Sequence, residues 1–186
     1  MLVPPSYRRL KRGPQVILPK DIGLIVAYTG IGKNSVCVDA GTGSGWLAVS
    51  LARICRRVVS YDVRDDFLKI ANRNKELEGL DNLERVNRDI TKGISERDLD
   101  LVTLDMADSE KALKHVYKAL KPEGFVAGYL PHMEQVKKFV AALEKRKFRN
   151  IFTVEAIVRD MLVRKEGMRP STKGVWHTAY LTFAQK

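Results

Sequence analysis

A chain of 186 residues, of which 45% are hydrophobic and 30% charged, has the size and composition of one ordinary folded domain, which excludes a disordered or fibrous protein. No signal peptide or long apolar run is present, so we expect a cytoplasmic protein rather than a secreted or membrane-spanning one. Cys37 and Cys55 lie among apolar residues without C-x-x-C spacing, which predicts reduced core thiols and no metal site.

The net charge of +11 is concentrated near the two ends of the chain. Residues 1–20 carry five basic side chains and no acid, and residues 144–173 carry nine basic against four acidic side chains. Residues 21–143 carry eighteen of each sign. Basic ends around a neutral centre predict a polyanionic partner, most simply nucleic acid, while the alternative is an ordinary solvated surface.

Residues 1–19 are predicted to form an irregular basic lead-in to a single domain that spans residues 20–186. Four prolines and a glycine interrupt the lead-in: Pro4, Pro5, Gly13, Pro14 and Pro19.

The first predicted helix follows the lead-in directly. Asp21 is placed to cap a helix that runs to about Ile31, and Gly32 and Asn34 would end it.

The stretch Val36–Leu47, VCVDAGTGSGWL, is the centre of the prediction. An apolar strand ends at Asp39, glycines follow at alternate positions, and helical apolar spacing runs from Trp46 to Ile54. A strand, a glycine turn and a helix in succession predict a nucleotide-binding crossover. Glycines suit the turn because they accept positive φ and let a ligand approach the backbone.

The acid before the glycines narrows the choice of ligand. Asp39 lies two residues before Gly41, where it would repel a pyrophosphate and attract an ammonium group. No lysine completes a P-loop. The pattern D-x-G-x-G-x-G resembles motif I of class I S-adenosylmethionine (SAM) methyltransferases, whose cofactor is cationic at its sulfonium and amino groups. The alternative is a structural glycine turn in another α/β protein.

Acids are predicted at the ends of the next three strands. The second strand, Arg57–Tyr61, ends at Asp62, which is placed to accept hydrogen bonds from ribose hydroxyls or, alternatively, to cap the following helix. That helix begins at Asp65 and Asp66 and runs to Glu78, where Gly79 stops it.

The third and fourth strands, Leu83–Asn87 and Leu99–Leu104, lead to Asp89 and Asp105. In this fold an acid at the first of these positions commonly reads the adenine amino group, and Ile90 could cover the ring. Ligands of open α/β sheets bind at the carboxyl ends of the strands, which is where Asp105 would lie.

The remaining elements complete a Rossmann-like class I methyltransferase fold, an α/β architecture with a doubly wound, mostly parallel seven-stranded sheet and a C-terminal antiparallel β-hairpin. The predicted helices, strands and connections are a helix over Ser109–Leu120, a KPEG turn, a strand over Phe125–Tyr129, a helix over Met133–Lys145, and strands over Asn150–Val158 and Val175–Ala184 around a basic loop at Arg164–Gly174.

Three flanking motifs make the resemblance more specific. The lead-in RGPQVILPKDIGLIVAYTGI, the stretch YLPHMEQV at 129–136, and RP at 169–170 followed by HTAYLTFA at 177–184 resemble the tRNA adenine-N1 methyltransferases of the TrmI/Trm61 type. The family normally carries an N-terminal β-rich domain that helps to hold tRNA, and only about a dozen residues precede the match here. Its motif IV acid is usually followed by a proline, where this chain reads DMADSE.

The resemblance implies a set of site residues. Asp105 would face both the transferred methyl group and the target base, and Tyr129 would stand at the mouth of the pocket. The cofactor would be held by Gln15, Val16, Leu18, Asp39, Gly41, Thr42, Gly43, Ser44, Gly45, Trp46, Leu47, Asp62, Asp89, Ile90 and Asp105.

The chemistry of methyl transfer to adenine N1 suggests a role for Asp105. Transfer to the N1 lone pair is an in-line displacement, so the enzyme chiefly positions N1 and excludes water. A carboxylate that accepts from the exocyclic N6 would orient the ring and stabilise the positive product. Because N1 lies on the pairing edge, the base must first leave the folded RNA.

Basic residues near the C-terminus are candidates for RNA contact. His177 could stack on RNA or bond to it, although a buried structural histidine is the favoured interpretation. Arg164, Arg169 and Lys173 could hold phosphates or be plain solvated loop residues.

The overall prediction is a SAM-dependent enzyme that acts on tRNA, and the family resemblance implies assembly as a tetramer through the terminal strands. One alternative is a corrin-pathway methyltransferase of similar length, whose anionic substrate would also suit basic ends. The other alternative is an inert RNA-binding subunit, which would not need the glycine loop with Asp62 and Asp105.

Overall fold

The computed structural model describes residues 4–13 and 15–186, so residues 1–3 and Pro14 of the predicted lead-in lie outside the described part. The described lead-in is irregular apart from one 3-10 turn at Pro5–Tyr7. It nevertheless packs on the domain, since Tyr7 is buried and its ring centroid lies 5.2 Å from that of Trp46.

The described residues form helices and strands in an alternating order. The helices are α1 Pro19–Thr29, α2 Trp46–Ala52, α3 Asp65–Glu78, α4 Ser109–Ala119 and α5 Met133–Lys145. The strands are β1 Val36–Ala40, β2 Arg57–Asp62, β3 Leu83–Asn87, β4 Leu99–Leu104, β5 Leu120–Leu130, β6 Arg149–Val154, β7 Met161–Arg164, β8 Gly167–Pro170 and β9 Tyr180–Gln185.

Seven strands form one sheet in the order β3-β2-β1-β4-β5-β9-β6. The first five are mutually parallel, and β9 lies antiparallel between β5 and β6. The predicted fold class is confirmed, including the C-terminal antiparallel pair. Because β1 is flanked by β2 on one side and β4 on the other, the sheet has its topological switch point between β1 and β4.

The two faces of the sheet bury two separate hydrophobic cores, as side chains alternate along each strand. In β1, Cys37 packs with α1 and α2 on one face, and Val38 packs with α4 and α5 on the other. Both cysteines are buried free thiols, as predicted. Covering both faces with helices leaves the carboxyl edge of the parallel strands as the open end.

The bounds of three helices differ from the sequence prediction, and in α4 the difference is one residue, since it ends at Ala119. Helix α1 begins at Pro19 with Leu18 as its N-cap, so Asp21 lies inside the first turn and is fully buried rather than capping the helix. Proline suits the first helical position because its fixed φ is already helical and its missing N–H needs no partner. The helix ends at Thr29 because Gly30 adopts a left-handed conformation, with φ +63°. Helix α2 ends at Ala52, two residues earlier than predicted.

The predicted KPEG turn is part of strand β5, which begins at Leu120 opposite Leu99. The pairing shifts register between Leu99 and Leu101, and Glu123 has a φ of +66°. The turn signal therefore marks an irregularity inside a longer strand.

The C-terminal region also departs from its prediction. Strand β6 ends at Val154 and β9 begins only at Tyr180. The intervening residues 155–179, here named the arm, contain a separate two-stranded hairpin of β7 and β8 in place of the predicted basic loop. Alternating polarity does not distinguish this hairpin from strands of the main sheet.

Candidate cofactor and substrate site

The candidate site lies at the switch point, where the loop after β1 meets the end of β4. Gly41 has a φ of +87°, and a Cβ added there would lie 1.9 Å from the carbonyl oxygen of Asp105. The Asp105 N–H in turn donates to the carbonyl oxygen of Ala40, at 2.8 Å. Only glycine allows the β1 loop and the end of β4 to approach so closely.

Three connected cavities open at this edge. A groove of about 680 Å³ is the largest, and it shares walls with two smaller recesses. The slot, of about 70 Å³, lies beside the ends of β2 and β3. The loop pocket, of about 30 Å³, lies between the glycine loop and the lead-in. Gly41 lines all three, while Asp105 lines the groove and the loop pocket.

Asp62 stands where the groove and the slot meet. One carboxylate oxygen accepts from the Gly43 N–H at 2.9 Å and the other from the Arg64 N–H at 3.0 Å. Each carboxylate oxygen can accept more than one hydrogen bond, so Asp62 keeps acceptor capacity toward the cavities. Asp62 thus fixes the glycine loop and also lines the groove and the slot.

Asp89 and Ile90 line the slot, as does Met106 beyond them. Asp89 accepts from the Thr91 N–H at 2.9 Å and from the Thr91 hydroxyl at 2.7 Å. These bonds, the hydroxyl bond foremost, lower the pKa of Asp89 and keep it ionised. An acid beside the apolar walls of Ile90 and Met106 suits a flat ring that carries an amino group.

Asp39 belongs to a polar row that crosses the sheet beneath the glycine loop. Its register partners on β2 and β4 are Ser60 and Thr103, and their hydroxyls donate to its two carboxylate oxygens at 2.7 and 2.8 Å. Thr42 lies 2.7 Å from Ser60, whose proton already goes to Asp39, so Thr42 donates to Ser60. Burial raises the pKa of Asp39, and the two hydroxyl bonds oppose this shift. Asp39 is 1% exposed and lies outside the walls of all three cavities.

Asp105 is an acid with an unusual pKa. Burial raises its pKa from 3.8 to about 7, and the negative charges of Asp39 and Asp62 add to the shift. A carboxyl group with this pKa changes its charge near neutral pH. It lies in the shared wall of the loop pocket and the groove.

Tyr129 lines the groove at the end of β5, and Pro131 and Gln135 continue the same wall. Burial raises the pKa of Tyr129, with smaller contributions from Asp21 and Asp105. The phenol is therefore protonated at neutral pH.

The loop pocket contains an unsatisfied polar atom. The Ser44 side-chain oxygen is buried and makes no hydrogen bond, although it lies in the wall of this cavity. Buried hydroxyl groups normally have a hydrogen-bond partner, so a hydroxyl without one in this wall is consistent with a site that binds a polar ligand. The other predicted residues in this wall are Gln15, Val16, Gly41, Thr42, Gly43, Trp46 and Leu47.

Sequence reasoning missed some wall residues and assigned others that lie elsewhere. Ile17 lines the loop pocket, whereas Leu18 caps α1 and lies outside the three cavities. Gly45 also lies outside them, and its φ of +80° and a Cβ position 3.0 Å from the Ala71 side chain show why glycine is needed there. Gln135, a groove residue without an assigned role, stands in the YLPHMEQV motif.

The predicted RNA contacts lie on the arm rather than in the cavities. The interpretation of His177 as a buried histidine is wrong, since 43% of its side chain is exposed. Its ring nitrogens lie 2.6 Å from a Glu155 carboxylate oxygen and 2.9 Å from the Pro131 carbonyl oxygen. The hydrogen bond with Glu155, and then that with Pro131, raise the pKa of His177. Arg164 and Arg169 are exposed on the β7–β8 hairpin, with Lys173 beyond it.

Two features are absent from the described residues. Among residues 4–13 and 15–186, no group of three or more histidine, cysteine or acidic side chains is arranged to hold a metal ion. Over the same residues, no helix combines the length and apolar character needed to cross a bilayer.

Comparison with known proteins gives a consistent family assignment. The sequence model of the family described as the tRNA methyltransferase complex GCD14 subunit matches residues 8–172. A relative in Methanocaldococcus jannaschii, the tRNA (adenine(57)-N(1)/adenine(58)-N(1))-methyltransferase TrmI, is 36% identical, with 96% of this chain and 74% of the relative covered.

Solved structures of two methyltransferases share the fold of this chain. The tRNA (m1A58) methyltransferase TrmI from Aquifex aeolicus superposes with a TM-score of 0.90 and 28% identity, covering 97% of this chain and 73% of that one. A SAM-dependent O-methyltransferase from Thermotoga maritima superposes with a TM-score of 0.89 and 31% identity, covering 94% of this chain and 67% of that one.

Proposed function

Because the chain belongs to the family of the GCD14 subunit of the tRNA methyltransferase complex, we propose that it transfers a methyl group from SAM to N1 of an adenine in the T-loop of tRNA. The observation that carries this proposal is the position of Asp105. It lines both the loop pocket and the groove, so one carboxylate can face a cofactor on one side and a base on the other.

The residues that line the three cavities suit the chemistry of SAM. The Ser44 hydroxyl and the glycine loop would hold the methionine end, where the charge of Asp39 favours an ammonium group without direct contact. Asp62 would accept from the ribose hydroxyls, and Asp89 with Ile90 would hold the adenine end in the slot. When bound, the cofactor supplies a methyl group made electrophilic by the adjacent sulfonium.

The groove would hold the target base. An extruded adenine that enters it meets Asp105, which in its ionised form accepts a hydrogen bond from the exocyclic N6. This bond orients N1 toward the methyl group and becomes stronger as positive charge develops on the ring. The protonated Tyr129 lines the same groove and excludes water from one side of the base.

The arm and the lead-in would contact the tRNA backbone outside the groove. Both carry more basic than acidic side chains, and Arg164, Arg169 and Lys173 are exposed. Such contacts position a polyanion without reading its sequence. A cytoplasmic location follows from a tRNA substrate.

The arm also supports assembly into a homo-oligomer, with a tetramer as the expected form. Strand β6 is at an edge of the sheet, and the hairpin beyond it exposes 72% of Val163 and 73% of Met168. Exposed apolar side chains beside an open sheet edge are typical of an interface. Light scattering of the intact chain should give four times the monomer mass, and Val163→Asp should lower that mass.

Methyl transfer from labelled SAM to an unmodified tRNA transcript, followed by nucleoside analysis, tests the proposed function. The expected product is N1-methyladenosine, absent when the T-loop adenines are replaced by guanine and reduced at least a hundredfold in Asp105→Asn. If calorimetry shows SAM binding while no transcript is methylated, the chain is not a stand-alone tRNA enzyme. A small anionic substrate such as a corrin precursor, or a second chain, would then be required.

A further inference from the structure

Asn74 is a fully buried polar residue inside helix α3. Asparagine is not favoured in the interior of a helix, and a buried amide without hydrogen-bond partners costs free energy. The presence of Asn74 at this position is explained by the groups that its side chain contacts, which belong to two other segments of the chain.

The first of these segments is the lead-in, where Asn74 pairs with the backbone of Lys11. Asn74 Oδ1 accepts from the Lys11 N–H at 2.7 Å, and Asn74 Nδ2 donates to the Lys11 carbonyl oxygen at 2.8 Å. The second proton of Nδ2 goes to the carbonyl oxygen of Ser44, also at 2.8 Å. Both protons and the oxygen of the amide are therefore used, and these partners determine which way the amide faces.

The second segment is the glycine loop, to which Ser44 belongs. The Gly45 N–H donates to the Thr42 carbonyl oxygen at 2.8 Å, so both polar groups of the peptide between Ser44 and Gly45 are held. The Ser44 hydroxyl, which has no partner among the described residues, lies in the wall of the loop pocket. Asn74 therefore fixes the backbone of the residue that carries this hydroxyl.

The lead-in forms the other wall of the loop pocket. Gly13 brings its backbone close to the glycine loop, since a Cβ added there would lie 3.4 Å from Ser44 Cβ and 3.3 Å from Phe67 Cε1. Only four residues separate Lys11 from Gln15, which lines the loop pocket. The pairing of Asn74 with Lys11 thus holds the lead-in just before the chain enters this wall.

We propose that Asn74 is a positioning residue for the cofactor, because by joining Lys11 to Ser44 it holds the two walls of the loop pocket at the separation at which SAM binds. Asn74 lines none of the three cavities, so it would act on SAM only through these walls. This inference rests on the proposed function, since it takes SAM as the ligand of the pocket.

The test measures SAM affinity by calorimetry in Asn74→Ala and in a matched variant, Asn82→Ala. The Asn82 amide also donates to two backbone carbonyl oxygens, those of Ala52 at 2.7 Å and Cys55 at 2.9 Å, but it lines a groove at the opposite edge of the sheet. Both variants should have a lower urea midpoint than the parent chain. Only Asn74→Ala should raise the SAM dissociation constant, by about tenfold, the size of one hydrogen bond. An equal rise in both variants, or none in either, would overturn the inference.

Asn74→Asp adds a pH dependence to the same measurement. An ionised carboxylate at this position accepts from the Lys11 N–H but faces the carbonyl oxygens of Lys11 and Ser44, whereas a protonated carboxyl group can donate to one of them. The SAM dissociation constant of Asn74→Asp, divided by that of Asn74→Ala at the same pH, should therefore fall as the pH is lowered from about 8 to about 5. A constant ratio would contradict the proposed contact.

Hydrogen exchange of the Lys11 N–H, measured by NMR, tests the same coupling from the other side. Because coupling between two sites is reciprocal, saturating SAM should slow this exchange about tenfold in the parent chain and in Asn82→Ala. In Asn74→Ala the Lys11 N–H should exchange rapidly with or without SAM. A rate that SAM leaves unchanged in the parent chain would overturn the inference, even if Asn74→Ala does not fold.

The two measurements also keep the inference separable from the proposed function. A parent chain that binds SAM and methylates tRNA, with an Asn74→Ala variant that binds SAM equally well, would refute the role of Asn74 alone. SAM binding that depends on Asn74, without methylation of any tRNA, would instead refute the proposed function and leave the role of Asn74 intact.

Discussion

At the scale of single residues, the charge state of Asp105 is the property that links stability to activity. Its neighbours Asp39 and Asp62 are fixed by hydroxyl and backbone donors, so their charges stay close to it. An acid held in a buried place beside two others binds its proton more tightly in the folded chain than in the unfolded one. The ionised form of Asp105, which the proposed function requires, is therefore held at some cost in stability.

The pH dependence of kcat/KM should follow the ionisation of Asp105. Below its pKa of about 7, activity should rise about tenfold per pH unit, and above it the profile should level off, because only the carboxylate accepts from N6. Asp105→Asn should abolish the rise of kcat/KM with pH below pH 7. Asp81→Asn, at an exposed position at the opposite edge of the sheet, should leave that rise unchanged.

The same shift has a defined sign for stability. A raised folded pKa means that stability falls as the pH rises from about 4 to about 7, the interval in which the unfolded chain has lost the proton and the folded chain still binds it. Above pH 7, Asp105→Asn should raise the free energy of unfolding by about 2 kcal/mol, a value discounted for partial solvent exposure. Equal urea midpoints of parent and variant at pH 8 would contradict this assignment.

Ser44 offers a second test at the residue scale. Ser44→Ala should raise the unfolding free energy of the ligand-free chain by about 1 kcal/mol, because a buried hydroxyl without a partner is removed, and should weaken SAM binding about tenfold. Ser50→Ala is the matched control, since its hydroxyl donates to the Trp46 carbonyl at 2.6 Å. It should lose stability and keep its SAM affinity in calorimetry.

At the scale of elements, the site depends on the contact between the β1 loop and the end of β4. The loop is held from below by Thr42 and from the side by the bond between Gly43 and Asp62. Two elements that are far apart in sequence thus share one fixed geometry, which places Asp105 beside the candidate cofactor cavities.

Gly41→Ala should disrupt this contact. Its methyl group would overlap the Asp105 carbonyl in a left-handed backbone, so we expect a loss of about 3 kcal/mol or more in unfolding free energy and no measurable SAM binding. Gly23→Ala provides the control, because no atom lies within 4 Å of the added Cβ and the position is helical. That change should stabilise the chain by about 0.5–1 kcal/mol, and a similar gain for Gly41→Ala would refute the close contact.

At the scale of the whole molecule, two basic stretches flank, in sequence, a central region that has no net charge. The central residues 21–143 build most of the sheet and the site, while the excess basic charge lies mainly in residues 1–20 and 144–173, which include the lead-in and part of the arm. Electrostatic attraction through these two regions can guide a tRNA to the groove without altering the field of the acids within it.

Replacing Arg164, Arg169 and Lys173 by glutamine should weaken tRNA binding and reduce the salt dependence of the dissociation constant. The slope of its logarithm against the logarithm of salt concentration should fall by about 2 to 3, because each of the three phosphate contacts contributes somewhat less than one to the slope. The exposed Lys114, Lys118 and Lys137, replaced together, serve as a control of equal charge from the neutral region. Anisotropy titrations of labelled tRNA at several salt concentrations measure both slopes, and equal slopes would exclude the arm from the interface.

The sequence by itself determined the order of elements and the chemistry placed at strand ends. Apolar runs closed by acids and a glycine loop are local patterns, so β1 to β4, the position of Asp62 and the position of Asp105 could be predicted from neighbours in the chain. The same local reasoning placed helices α3 and α5 at their observed bounds.

Only the tertiary structure decided how remote residues meet. Strand register brings Ser60 and Thr103 onto Asp39, and chain packing brings Thr178 onto Lys20 and Asp21. The exposure of His177 and the separate hairpin of the arm depend in the same way on which strands pair. Such contacts join positions many residues apart in the chain. The periodic pattern of a strand or helix does not show which other element it packs against, so these contacts are known only from strand pairing and packing in the folded chain.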